Sequence, residues 1–250
     1  MSGHSKWAQI KRQKGVADSK RGQVFTKLGR ELLVAVRQGG PDPAANSRLR
    51  LAIQKARENN MPLENIDRAI KRAAGAADGA ALEEITYEGY GPHGVAVMIQ
   101  AVSDNRNRTV AEIRNVFARA NGSLGESGSV SWLFEQKGVI TVDAHGADPE
   151  ELALIAIDAG ADDVKIDEQT LEVYADPTSL ETVREALERE KMKIESSEIS
   201  LLPKTTVPIT GEKEAAAVLR MIDKLDDLDD VQEVFSNADI PSEVMEGYGG

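Results

Sequence analysis

In this chain the spacing of apolar residues and the sign of the charge change at the same place, dividing it into two unlike parts. From Val24 to Gly75 apolar residues recur every three or four positions, the period of an amphipathic helix. Beyond about residue 84 they fall in short runs suited to strands, interleaved with further helical stretches. Residues 1–75 carry 16 Lys and Arg against 6 Asp and Glu, and the remainder carries 14 against 36. The net charge of −12 therefore averages a cationic head and an anionic body. A polyanion is attracted to one end of such a molecule and repelled by the other, so nucleic acid is the first partner to consider.

In the head, residues 1–22 form a polar basic arm with Trp7 in a thinly apolar setting. Val24, Phe25, Leu28, Leu32, Leu33 and Val36 then mark a first helix, stopped by Gly39 and Gly40. A second helix follows Asp42-Pro43, capped by Asn46 or Ser47, with Leu49, Ala52, Ile53 and Ala56 as its stripe. For the third, Asn60 supplies the cap, Pro62 lies near the first turn, Leu63, Ile66, Ala69, Ile70 and Ala73 face inward, and Gly75 ends it. Three such helices close into a small bundle, followed by a linker at 76–80.

The body opens with two strands, 84–90 and 94–102, joined through Gly91-Pro92-His93. A helix bearing Val110, Ile113, Val116 and Phe117 follows, ending at Asn121-Gly122. From 131 to 202 the order is βαββαβ, the ferredoxin-like arrangement. A strand near 205–209, a helix at 211–225 and a strand at 231–236 remain without partners. Two-stranded sheets are marginal in water, so these elements are expected to join the 84–121 unit in one sheet. The expected fold is α+β: an N-terminal three-helix domain followed by two α/β domains, the last a ferredoxin-like module inserted in the middle one. The boundaries are 1–80, 81–130 with 203–240, 131–202, and a flexible tail at 241–250.

Chemistry is excluded class by class. There is no cysteine, hence no disulfide framework, thiolate metal site or cysteine nucleophile. His4, His93 and His145 lack metal-ligand spacing. Residues 89–94 match GxGxxG in letters, but a proline interrupts the loop and a strand follows, so no helix N-terminus meets a pyrophosphate. No phosphate-binding loop or nucleophile elbow occurs, and no carboxylate pair stands out. Asp226-Asp227-Leu228-Asp229-Asp230 lacks the spacing and central glycine of a calcium loop and reads as a solvated turn. The chain is thus expected not to be an enzyme, and to need no cofactor or metal. No run approaches the roughly 18 apolar residues of a membrane span, and the basic N-terminus lacks the apolar core of a signal peptide, so a soluble, cytoplasmic protein with no membrane partner is expected.

The expected contacts to nucleic acid are Lys6, Trp7, Lys11, Arg12, Lys14, Lys20 and Arg21 on the arm, with Lys27, Arg30, Arg48, Arg50, Lys55, Arg57, Arg68, Lys71 and Arg72 on the helices. Trp7 can stack on a base or pack against the bundle. In the run Asp104 to Thr109, Asp104 or Asn105 can cap a helix while Arg106 and Arg108 offer forks for a second phosphate or partner contact. The acidic surface of the body can repel nucleic acid or meet a basic protein partner.

Several motifs together resemble the YebC/PmpR family: Gly3-His4-Ser5-Lys6-Trp7, Lys20-Arg21-Gly22, Asp42-Pro43 with Asn46 and Arg48-Leu49-Arg50, Asn60-Met61-Pro62 and Arg68-Ala69-Ile70-Lys71. Tyr87-Glu88-Gly89-Tyr90-Gly91-Pro92, the Asp104 to Thr109 run, Leu124-Gly125 and Gly128-Ser129-Val130 extend the match over essentially the whole chain. Asn121 departs from it, standing where the pattern has a glycine. So does Arg72-Ala73-Ala74, which replaces a more lysine- and glycine-rich helix end. The resemblance implies a three-domain cytoplasmic protein described as a DNA-binding transcriptional regulator. The family is also similar to a mitochondrial translational activator of cytochrome c oxidase, and some members are linked to ribosomes. Two functions are therefore expected in competition: a regulator binding duplex DNA through the head, and a translation factor binding ribosomal RNA.

Overall fold

The computed structural model describes residues 18–75, 82–145, 148–167 and 170–248. Helix α1 (Asp18–Gly39) lays Leu28, Leu32, Ala35 and Val36 against α2 (Ser47–Glu58) and α3 (Leu63–Gly75), which contribute Leu49, Ala52, Ala56, Ile66 and Ala73. Leu32 and Leu49 are fully buried, each worth about 1.5–3 kcal/mol relative to exposure. Asn46 fixes the α1–α2 corner. Its Oδ1 accepts from the Leu49 N–H, capping α2, while its Nδ2 donates to the carbonyls of Ala35 and Gly40 at 2.8 Å. Asn60 does not cap α3. It adopts φ 57° and ends α2, with the Asn60 N–H on the Arg57 carbonyl and the Met61 N–H on the Ala56 carbonyl. That is the Schellman closure, whose left-handed residue asparagine tolerates.

In the body, β1 (Glu83–Tyr90) pairs antiparallel with β2 (Ala96–Ser103), from Glu83 opposite Ser103 to Tyr90 opposite Ala96. The loop between them turns at His93 and Gly94, both left-handed, so the GxGxxG letters join two strands. Helix α4 (Arg106–Arg119) returns to the short strand β3 (Ser123–Leu124) beside β1. Asn121, at φ 56°, closes α4 as Asn60 closes α2, which explains why asparagine serves where the family pattern has glycine.

A second sheet follows, formed by β4 (Phe134–Asp143), β5 (Asp163–Asp167), β6 (Thr170–Ala175) and β7 (Lys193–Pro203). Its order is β5-β6-β4-β7, every neighbour antiparallel. Helices α5 (Pro149–Asp158) and α6 (Leu180–Arg189) supply Ala156, Leu180, Val183 and Leu187 to the core with Ile140, Val142, Leu171 and Val173.

The chain then passes through β8 (Val207–Pro208), α7 (Glu212–Asp226) and β9 (Val231–Ser236), and β9 is hydrogen-bonded to β2. The first sheet thus runs β3-β1-β2-β9. Strand β2 shows period-2 burial on both faces: Val97, Ile99 and Ala101 pack with α4 and α7, while Ala96 and Met98 pack with Phe134 and Phe235. Strand β10 (Ala238–Asp239) pairs parallel with β8. The flexible tail expected at 241–250 is corrected by α8 (Ser242–Tyr248), which forms because Met245 is buried in the first sheet's core, with Val244 and Tyr248 packed beside it.

Candidate nucleic-acid interface

The head's cations divide by the direction they face. Gln23, Lys27 and Arg30, spaced by four and three, share the face of α1 that meets the turn after α7. Gln23 Nε2 donates to the Asp227 carbonyl at 3.0 Å, and Lys27 bonds both the carbonyl and, at 3.2 Å, the carboxylate of Asp226. Arg30 donates to the Asp229 carbonyl and, at 2.9 Å, to the Asp230 carboxylate. The aspartate run read as a solvated turn is therefore the dock for the head.

Helix α2 meets the body in the same way. Arg48 pairs with Glu84 at the start of β1, and this holds the Glu84 carboxyl below its usual range even though burial opposes it. Lys55 lies between Glu233 and Glu31, the latter at 3.3 Å. Burial alone would push the Lys55 ammonium down, but Glu233, Glu31 and Glu198 together raise it above the ordinary lysine range. Lys27, Arg30, Arg48 and Lys55 are thus placed against carboxylates of this same chain, with Arg48 and Glu84 still exposed.

Asp230 is the hub of this contact, with 2% exposure. Besides Arg30 it accepts from Arg108 Nη2 and Thr109 Oγ1 at 2.7 Å and from Ser103 Oγ at 2.9 Å. Burial raises its carboxyl, yet the bonds from Arg108, Thr109 and Ser103 outweigh that and hold it below the usual range. Arg108, expected as a second phosphate contact, is thereby committed to Asp230 and to Asp104. Asn105 is the α4 cap, accepting from the Arg108 N–H, and Arg106 projects from the exposed first turn.

The opposite side of the head is different. Arg68, Lys71 and Arg72, at positions i, i+3 and i+4 of α3, lie on one exposed face, and none has an ion-pair or hydrogen-bond partner among the described residues. Arg57, exposed in the last turn of α2, is likewise unpaired there. Helix α3 packs mainly on α1 and α2, so its basic face stands away from the body. Arg50 is exposed but bonded to the carbonyls of Pro43 and Ala44. Lys20 and Arg21 sit in the first turn of α1. Lys6, Trp7, Lys11, Arg12 and Lys14 lie outside the described residues.

A cation ridge on an exposed helix face suits phosphate binding. Among the described residues, no group of three or more His, Asp or Glu is placed to hold a metal ion, and no helix is long and apolar enough to cross a membrane. A family model described as the TACO1/YebC N-terminal domain matches residues 5–76, and one described as the TACO1/YebC second and third domain matches 82–238. This chain belongs to the TACO1/YebC family. Its relatives include a "Probable transcriptional regulatory protein" of Dehalococcoides mccartyi, 55% identical over 99% of this chain and 98% of that protein. Another of the same description, from Chloroflexus aurantiacus, is 56% identical over 98% of each. A crystal structure of a conserved hypothetical protein from Aquifex aeolicus superposes with a TM-score of 0.82 at 49% identity, covering 90% of this chain and 93% of that one. The TACO1/YebC fold seen here is accordingly a helical N-terminal region followed by mixed α/β domains with antiparallel sheets.

Sequence reasoning missed the residues that split the basic set in two: Gln23, Glu31, Glu84, Glu233 and the aspartates of 226–230. The signal was present in the spacing of Gln23, Lys27 and Arg30, a polar stripe on a helix otherwise short of acids, with an acid run elsewhere to match it.

Proposed function

We propose that this protein is a non-enzymatic, nucleic-acid-binding regulator of gene expression that grips duplex DNA through its basic head. The observation that carries this is the α3 ridge of Arg68, Lys71 and Arg72, exposed and unpaired among the described residues while the other face of the head is neutralised by the body. Arg57, Lys20, Arg21, Arg50 and the arm residues Lys6, Trp7, Lys11, Arg12 and Lys14 extend the same contact. The relatives' shared description as transcriptional regulatory proteins supports this reading. We place the protein in the cytoplasm. We divide it at 1–80, 81–130 with 203–240, and 131–202. The pairing of β9 with β2 and the order β5-β6-β4-β7 support that division and a ferredoxin-like reading of the last module.

A second reading is a ribosome-associated translation factor that binds folded RNA. The exposed Trp132 favours it, since unpaired bases stack on such side chains and a closed duplex offers none. Sedimentation of a lysate at moderate salt, with and without ribonuclease, separates the two. Comigration with ribosomes that is lost on digestion supports translation. Retardation of promoter DNA that survives excess competitor supports transcription.

A further inference from the structure

Two aromatic rings far from the head are held on the surface by one oxygen. Tyr90 ends β1, and Trp132 lies in the short turn before β4; they are 37% and 64% exposed. The Tyr90 hydroxyl and the Trp132 indole N–H both donate to the Ser129 carbonyl at 3.2 Å. The two polar tips are therefore spent on the protein, and what remains for solvent is ring surface. The oxygen that holds them is itself fixed. Glu88, with 5% exposure, accepts from the backbone N–H groups of Gly128, Val130 and Ser131 at 2.7–2.8 Å, which pins the loop on both sides of Ser129. Burial would raise the Glu88 carboxyl, but these three donors keep it lowered and ionised, so the clamp is in place at neutral pH.

The backbone of a lysine passes beside the turn that carries Trp132. The Lys204 N–H donates to the Leu133 carbonyl at 2.7 Å, one residue from Trp132, and its exposed side chain has no partner among the described residues. Rigid aromatic faces with an adjacent unpaired lysine match a base and its phosphate, the combination used for unpaired strands. Glu126 and Glu135, exposed on the same loop and the following strand, disfavour a continuous phosphate track across this surface. A single splayed base is therefore the better fit. The head docks at the Glu84 end of β1 and the rings sit at the Tyr90 end, roughly 20 Å away at about 3.3 Å per residue.

We propose that Trp132 and Tyr90 form a stacking platform for an unpaired nucleobase, with Lys204 meeting the neighbouring phosphate. This rests on the nucleic-acid reading above and adds to it a site that recognises single-stranded segments. The protein has two tryptophans, so Trp7→Phe makes Trp132 the sole indole emitter, and every comparison is made in that background. The probes are a labelled oligoadenylate strand and a labelled duplex, each followed by anisotropy together with tryptophan emission.

On strand binding, Trp132 emission should be quenched. Trp132→Ala should weaken strand binding about 10-fold or more, with Trp132→Phe restoring most of it, while duplex affinity and melting temperature stay the same. Strand binding seen by anisotropy with unchanged emission, and unaffected by Trp132→Ala, overturns the platform and leaves the head untouched. Failure of the unsubstituted protein to bind either polymer overturns both. Emission that shifts with protein concentration alone assigns the rings to self-association and also overturns the platform.

Discussion

Replacing Asp230 by Asn keeps the shape of the side chain and removes the charge on which head and body converge. Four donors meet that carboxylate: Arg30, Arg108, Thr109 and Ser103, all at 2.7–2.9 Å. An amide presents an N–H₂ group either to Arg30, which meets one oxygen, or to Arg108, Thr109 and Ser103, which meet the other, and it takes from both guanidinium groups the charge of Asp230, leaving Arg108 with Asp104. Breaking a fully buried ion pair costs about 3–5 kcal/mol. Here the arginine side chains keep 24% and 44% of their exposure and can rehydrate, so the expected loss for Asp230→Asn is nearer to about 2–3 kcal/mol. For a chain of this size that is a fall in melting temperature of roughly 4–12 °C.

The pH dependence follows from the lowered carboxyl. Its contribution is complete above the ordinary aspartate value of about 3.9 and is lost as pH falls through the lower folded value. Thermal melts of both proteins from neutral pH into acid should show a gap that is wide at neutrality and closes below about pH 4. A variant that melts with the parent at neutral pH, or a gap that persists unchanged in acid, would refute the role given to Asp230.

Three other substitutions report on the remaining supports. Glu88→Gln should cost about 1–3 kcal/mol and speed amide exchange at Gly128, Val130 and Ser131, read by hydrogen-exchange mass spectrometry. Asn46→Ala removes a helix cap and leaves two carbonyls short of a donor, so denaturant unfolding should show a loss of about 2–4 kcal/mol. Gly122→Ala places a methyl 2.5 Å from the Tyr90 carbonyl oxygen and should destabilise by about 1–3 kcal/mol, whereas Asn121→Gly, at a left-handed position, should stay within about 1 kcal/mol of the parent.

The local chemistry of the chain was legible wherever a residue acts on its own backbone. Asn46 and Asn105 cap the helices their positions suggest, and Gly91-Pro92-His93 turns one strand into another. Asn60 is legible as punctuation but its side of the gap is not, because an asparagine can open a helix through its side chain or close one through a left-handed backbone, and only tertiary context chooses. The charge asymmetry pointed to the head as a unit. It could not sort the cations within it, because that depends on which face of each helix meets residues about 200 positions away, as Arg30 meets Asp230. The aspartate run is legible only in part for the same reason: Asp227 and Asp229 are exposed as a solvated turn implies, but the carboxylates of Asp226 and Asp230 look solvated until α1 is laid across them. Trp132 is not marked in the sequence, since exposure of a single aromatic is invisible there.

Duplex binding through the head requires that the α3 ridge, and not the body-facing cations, meets phosphate. The direct measurement is duplex binding by anisotropy across ionic strength for the full chain, for the Arg68→Gln/Lys71→Gln/Arg72→Gln variant and for Lys27→Gln. The triple variant should flatten the dependence of log K on log salt by about three units, while Lys27→Gln leaves it unchanged. An unaltered slope in the triple variant, or an equal flattening by Lys27→Gln, would contradict it.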